Sequence, residues 1–264
     1  MTLRTRWKKA LGAAGAAAAV VALGAAGAAA AVVALTAATP AVAQTASVHH
    51  YYLEVGGTGS AAPAPGCTST YAFANKHLNG GIPVPVCYPA SAGPWLNGHN
   101  APDVHALSYD ASVREGYRNL LAAAEETYHR DPNARFTIVG YSQGAQVADQ
   151  VLRTIADGRT AIPRAQVNGM LYADPMQPGT GIWARVPQGW SALGFTSTGA
   201  APAKYAGVPV RRFCLHTDLA CDATSLRSVP GFLREHPKYW QDGNTMTRTI
   251  GHDGGDGITW YDAQ

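Results

Sequence analysis

Charged side chains are scarce in this chain of 264 residues: Asp, Glu, Lys and Arg together make up 14% of it. The few that occur are unevenly placed. Arg4, Arg6, Lys8 and Lys9 crowd the start, and no charge follows from Ala10 to Ala38. Setting residues 1–43 aside leaves 16 basic against 17 acidic groups, a net charge of −1. That balance provides no positive field to attract nucleic acid, so no nucleic-acid partner is expected. Cysteine is scarce too. Only Cys67, Cys87, Cys214 and Cys221 are present, with no C-x-x-C pair, which argues against zinc, and no metal site is expected. The run Gly251-His252-Asp253-Gly254-Gly255-Asp256 does not follow the calcium-loop pattern and reads as a turn.

What the first 43 residues do have is the layout of an export signal: a basic start, an uncharged stretch and the small residues Ala41-Val42-Ala43. The twelve residues GAAGAAAAVVAL at 12–23 recur unchanged at 24–35, a duplication within low-complexity sequence. At this length the segment could instead remain as an N-terminal membrane anchor, but Ala and Gly favour the bilayer far less than Leu, Ile or Phe. The expected organisation is a secretory signal peptide at 1–43 and a single catalytic domain at 44–264, released outside the cell as a monomer. Export permits disulfides, and four cysteines allow three pairings. Proximity in sequence favours Cys67–Cys87 and Cys214–Cys221.

Strand and helix signals alternate along the remaining chain. Val48 to Val55 is rich in aromatic and branched residues, and 83–88 reads as a second, short strand. Thr70 to Leu78 is a short helical candidate. Val113, Tyr117, Leu120, Leu121, Ala124 and Tyr128 form one helical stripe, with a start at Ser108 or Ser112. Buried strands are expected at 135–139, 167–172 and 208–215, and helices after Ser142 and over much of 226–240. Alternation of this kind predicts an α/β fold with a mostly parallel sheet covered on both faces. Residues 242–264, rich in Gly, Asp and Thr, read as a C-terminal surface extension.

Gly140-Tyr141-Ser142-Gln143-Gly144 has the G-x-S-x-G form, and its context raises its weight. RFTIV precedes it as a strand and an amphipathic helix follows. Small residues at both ends let strand and helix crowd together, so that the serine hydroxyl is pushed out above the sheet. Ser142 is therefore the candidate nucleophile. The backbone N–H of Gln143 is one candidate oxyanion donor, and Thr58 in Gly56-Gly57-Thr58-Gly59 is the other. An ordinary Gly-rich turn is the alternative for that loop. His216, His236 and His252 compete as base; His236 is favoured because Phe232, Leu233, Tyr239 and Trp240 flank it and can orient it. Asp174, Asp218 and Asp222 compete as acid. Asp218 is favoured because a Cys214–Cys221 bridge would fix its loop.

GYSQGA at 140–145, the Cys214-x-x-x-Asp218-x-x-Cys221 loop and His236-Pro237-Lys238-Tyr239 together resemble the cutinase-like serine esterases. The stretch from Asp174 to Pro187 (DPMQPGTGIWARVP), with the early GGTG, is similar to the PE-PPE domain hydrolases of actinobacteria. The resemblance covers roughly 48–241. It implies a three-layer α/β-hydrolase sandwich, a Ser142–Asp218–His236 triad, hydrolysis of acyl or lipid esters and no cofactor. An acyl-ester or lipid substrate is the expected partner, with association with the cell envelope left open. It places Asp174 in a non-catalytic motif. Trp183, Trp190, Leu193 and Phe195 within 175–207 suggest an apolar flap or acyl wall, with an irregular connection packed on the core as the alternative. A cell-wall lipid esterase, a polyester-degrading cutinase, an acyltransferase and a non-catalytic secreted binding module remain as alternatives.

Overall fold

The computed structural model describes residues 48–262; the expected export segment at 1–43 lies outside the described residues. Strand β1 (His50–Val55) comes first, followed by 3-10 turns at Gly66–Tyr71 and Ala74–His77. These replace the single short helix expected at 70–78. No side chain caps either turn, and the Cys67–Cys87 disulfide ties the first to the chain leaving the next strand. Strand β2 (Ile82–Pro85) is shorter than expected. Its two prolines lack N–H donors, which suits the sheet edge that it occupies.

Helix α1 (Tyr109–Arg130) begins at Ser108, whose Oγ accepts a hydrogen bond from the Ala111 N–H at 3.2 Å. Ser112, the other candidate start, is buried inside the helix and accepts from the Ser91 N–H at 3.1 Å. Then follow β3 (Arg135–Tyr141), α2 (Gln143–Ala156), β4 (Val167–Tyr172) and α3 (Ile182–Arg185). A small hairpin, β5 (Ser191–Ala192) with β6 (Phe195–Thr196), leads to β7 (Val210–Leu215) and α4 (Ser228–Glu235). Helix α5 (Thr245–Thr249) and strand β8 (Gly257–Tyr261) close the chain.

Six strands form one sheet in the order β2-β1-β3-β4-β7-β8, every pairing parallel. The alternation of side chains explains why β3 reads as continuously apolar. Phe136 and Ile138 pack under α1 and α2, while Val139 and Tyr141 join a second core on the opposite face. That second core takes in Tyr71, Ala74 and Leu78 of the early turns and Met246 and Ile250 around α5. The result is the three-layer α/β sandwich that the alternation implied. Chain order reverses between β1 and β3: β1 runs on to β2 on one side, while β3 runs on to β4 on the other. The crevice at the carboxyl ends of such a strand pair is where ligands bind in open α/β sheets.

The expectation for 242–264 is overturned. Thr245, Met246 and Ile250 are buried, and β8 pairs in register with β7 from Arg211–Gly257 to Leu215–Tyr261. An anchor lies between these elements. The Asp253 carboxylate accepts from Thr137 Oγ1 at 2.7 Å and Asn168 Nδ2 at 2.8 Å, and lies 3.1 Å from His50 Nε2. Burial pushes this carboxyl up, but the hydrogen bonds from His50, Thr137 and Asn168 outweigh it and hold the group well below the usual range. The turn at 251–256 thus ties the C-terminal segment to β1, β3 and β4.

Candidate active site

The chain between β3 and α2 turns sharply at Ser142, whose φ of 56° and ψ of −121° lie in a region that non-glycine residues avoid. Two close approaches impose this turn. A Cβ on Gly140 would lie 2.4 Å from the Gly144 carbonyl oxygen, and one on Gly144 would lie 2.4 Å from the carbonyl oxygens of both Val55 and Gly56. Helix α2 therefore starts wedged against the end of β1, and only glycine fits at either contact. The Ser142 N–H is held by the Tyr172 carbonyl at 2.9 Å. Among the described residues the Gln143 N–H finds no acceptor, so it stays available at the positive end of α2. The Gln143 side chain does not compete for the site, since it donates to the Ser91 carbonyl at 2.9 Å and accepts from Tyr88 at 3.0 Å. Thr58, on the loop leaving β1, lines the cleft beside Ser142, and its N–H has no acceptor among the described residues.

His236 Nε2 lies 2.8 Å from Ser142 Oγ, and its Nδ1 lies 2.9 Å from both carboxylate oxygens of Asp218. Asp218 is fully buried, on a loop closed by the Cys214–Cys221 disulfide, and its backbone carbonyl accepts from the N–H groups of Cys221 and Asp222. The imidazole sits between two rings. Tyr141 stacks at 5.0 Å on one side and Phe232 at 4.4 Å on the other, each inclined by 27°. The Tyr141 hydroxyl also donates to the His236 carbonyl at 2.6 Å. Phe232 and Tyr239 pack around His236 as their proximity in sequence implied, but Leu233 is 78% exposed and takes no part. Tyr141 was missed as a support. Its place inside the G-x-S-x-G motif, on an outward turn beside the base, was the available signal.

The competing residues lie elsewhere. His216 stacks on Trp260 at 5.1 Å, and His252 is exposed on the turn before β8. Asp222 accepts from the Thr217 N–H at 2.8 Å and from Thr224 at 2.6 Å, bracing the Asp218 loop. Asp174 is committed to the fully buried Arg212, whose Nε donates to it at 2.9 Å while Nη2 donates to Asp149 at 2.6 Å. Tyr205 donates to Asp149 as well. Burial and the neighbouring Asp149 carboxylate push the Asp174 pKa up, against the pull of the guanidinium. Sequence reasoning did not anticipate this cluster.

Two clefts open from Ser142. One, of about 570 Å³, is lined by Thr58, Ser69, Thr70, Asn100, His236 and Trp240 among others. The second, of about 440 Å³, is walled by Trp95, Tyr109, Ile182, Trp183, Phe195 and Leu219. Trp183 and Phe195 thus belong to an apolar wall as expected. Trp190 and Leu193 are 56% and 66% exposed at the hairpin and line neither cleft. Leu193 and Gly194 form the tight turn between β5 and β6, both at positive φ, and Trp190 directly precedes β5.

A profile of the PE-PPE domain matches residues 80–222. The chain is 38% identical over 77 residues to the carboxylesterase Culp6 homolog of Corynebacterium glutamicum; the match spans 28% of this chain and 25% of that protein's length. Among solved structures, the chain is similar to a cutinase-like protein from Cryptococcus sp. at 16% identity, over 77% of this chain and 91% of that one, with a TM-score of 0.50. The catalytic core of an acetyl xylan esterase from Trichoderma reesei is 22% identical over 74% of this chain and 92% of that one, with a TM-score of 0.45. The likeness to the cutinase-like protein concerns the fold alone.

Proposed function

The chain belongs to the PE-PPE domain family, and on that premise we propose that it is a secreted serine esterase that cleaves carboxylic esters through an acyl-enzyme. The observation that carries this reading is the continuous path from Ser142 Oγ through His236 to the buried Asp218, starting at a strained strand-to-helix turn. His236 Nε2 is within reach to take the serine proton as Oγ attacks the ester carbonyl. Asp218 holds the ring through Nδ1 and stabilises the imidazolium that forms. The free N–H groups of Gln143 and Thr58 stabilise the developing oxyanion, and His236 returns the proton to the departing alcohol. Water, activated by the same imidazole, then releases the acid.

The expected location follows from the two disulfides and the export-like N-terminus. Protein recovered from the medium should begin at Gln44; an intact Met1 in the membrane fraction favours the anchor instead. The activity is tested with p-nitrophenyl esters from acetate to palmitate. Turnover is expected for part of that series and should fall at least about a thousandfold in Ser142→Ala. No turnover at any chain length refutes the esterase reading and favours a binding module, whereas a fully active Ser142→Ala refutes the choice of nucleophile.

A further inference from the structure

The two clefts meeting at Ser142 differ in how their polar groups are satisfied. In the apolar cleft the Trp183 Nε1–H and the Tyr109 hydroxyl both donate to Gln146 Oε1, each at 2.7 Å, so that wall presents carbon to its occupant. In the other cleft the hydroxyls of Ser60, Ser69 and Thr70 and the amide of Asn100 have no hydrogen-bond partner among the described residues, and the equally unpaired Thr58 hydroxyl stands where the two clefts meet. Thr70 Oγ1 is shielded from solvent as well as unpaired. A buried hydroxyl left unpaired is destabilising, and a ligand hydroxyl would relieve it. Ser69 and Thr70 lie on the 3-10 turn tethered by Cys67–Cys87, so these donors and acceptors are fixed before any ligand arrives.

We propose that this hydroxyl-lined cleft is an alcohol subsite for a neutral polyhydroxyl compound, such as a sugar or glycerol unit, and that the acyl chain lies in the apolar cleft. The assignment rests on the esterase reading above. Its direction comes from the chemistry: the departing alkoxide must take its proton from His236 Nε2, and His236 borders the hydroxyl-lined cleft but not the apolar one. Neutrality comes from the lining, which includes no Lys, Arg, Asp or Glu to meet a charged headgroup. Phe232 lines both clefts and stands between alcohol and acyl chain.

The same subsite holds an acceptor for the reverse half of the reaction. A polyol oxygen attacks the acyl carbon on Ser142 and gives its proton to His236 Nε2. The bond from that carbon to Oγ breaks, and Oγ takes the proton back from His236. A polyol should therefore compete with water for the acyl-enzyme. The test uses p-nitrophenyl octanoate with glucose or 1-propanol at equal concentrations of hydroxyl groups, counting octanoyl ester formed per nitrophenol released. Glucose is expected to exceed 1-propanol about tenfold and to saturate, and a Ser69→Ala, Thr70→Val variant should lose about tenfold in that ratio, equivalent to one or two hydrogen bonds. Equal capture of glucose and 1-propanol by the parent protein overturns the proposal while leaving the esterase reading intact. Absence of nitrophenol release overturns both.

Discussion

Glu54 is fully buried on β1, two residues before the glycine-rich loop that carries Thr58, and its replacement by glutamine should stabilise the protein increasingly as pH rises. Asn75 Nδ2 donates to Glu54 Oε2 at 3.1 Å, while Glu54 Oε1 and Asn75 Oδ1 are both buried without a partner. A proton on Oε1 supplies the missing donor, and a carboxylic acid and a primary amide are complementary in that form. Burial pushes the Glu54 pKa up from 4.5 to about 8, only partly offset by the Asn75 hydrogen bond. The folded protein therefore holds a proton that the unfolded chain releases, and stability drains away as pH rises through that interval. At about 1.4 kcal/mol per pKa unit, the loss between roughly pH 5 and pH 9 is about 4 kcal/mol. The glutamine side chain keeps the shape and the hydrogen bond from Asn75 but has no proton to lose. Urea unfolding of parent and Glu54→Gln across that range should show their stabilities diverging, with the variant ahead at alkaline pH by up to about 4 kcal/mol. A protonated-carboxyl infrared band should disappear in the variant. Parallel pH curves, or a variant that weakens at alkaline pH, would refute the reasoning.

Three further outcomes follow from the same contacts. Gly144→Ala must push a methyl group into the carbonyl oxygens of Val55 and Gly56, so it should cost about 3 kcal/mol or more in urea unfolding; a neutral result means that α2 does not press on β1 as described. Arg212→Met leaves Asp149 and Asp174 facing each other without their shared cation, for a loss of roughly 3–5 kcal/mol at neutral pH that shrinks in acid as the carboxylates protonate. A deficit independent of pH would show that charge is not its source. Asp218→Asn should lower kcat on p-nitrophenyl esters by on the order of 10⁴ with KM little changed, because the amide no longer holds the ring in the required tautomer. A drop of less than about tenfold would remove Asp218 from the proposed machinery.

The parts of this site that sequence made legible are those whose causes are local. The elbow is written in one short run of consecutive residues, because close packing of β3 on α2 demands small residues at both ends of the turn. Asp218 was legible through the two cysteines framing its loop, seven residues apart. The clasp of Asp253 with His50, Thr137 and Asn168 was not. Even Thr137 and Asn168 lie 116 and 85 positions from Asp253, and contacts so distant leave no periodic trace. Strand β8 was hidden for a related reason. It is a short edge strand with partly exposed residues on both faces, preceded by glycines that read as a loop. Asp174 and Asp218 are told apart by the pattern of β7. Both follow central strands and lie near the carboxyl edge of the sheet, so position alone does not separate them. In Val210-Arg211-Arg212-Phe213-Cys214-Leu215, however, Arg212 shares the face of the buried Val210. A guanidinium on the inner face of a central strand demands buried carboxylates. Those must come from neighbouring elements, and Asp174 at the end of the adjacent β4, with Asp149 on the covering helix α2, meets that demand. A carboxylate already committed to an arginine is not free to orient an imidazole, and that leaves Asp218 for His236.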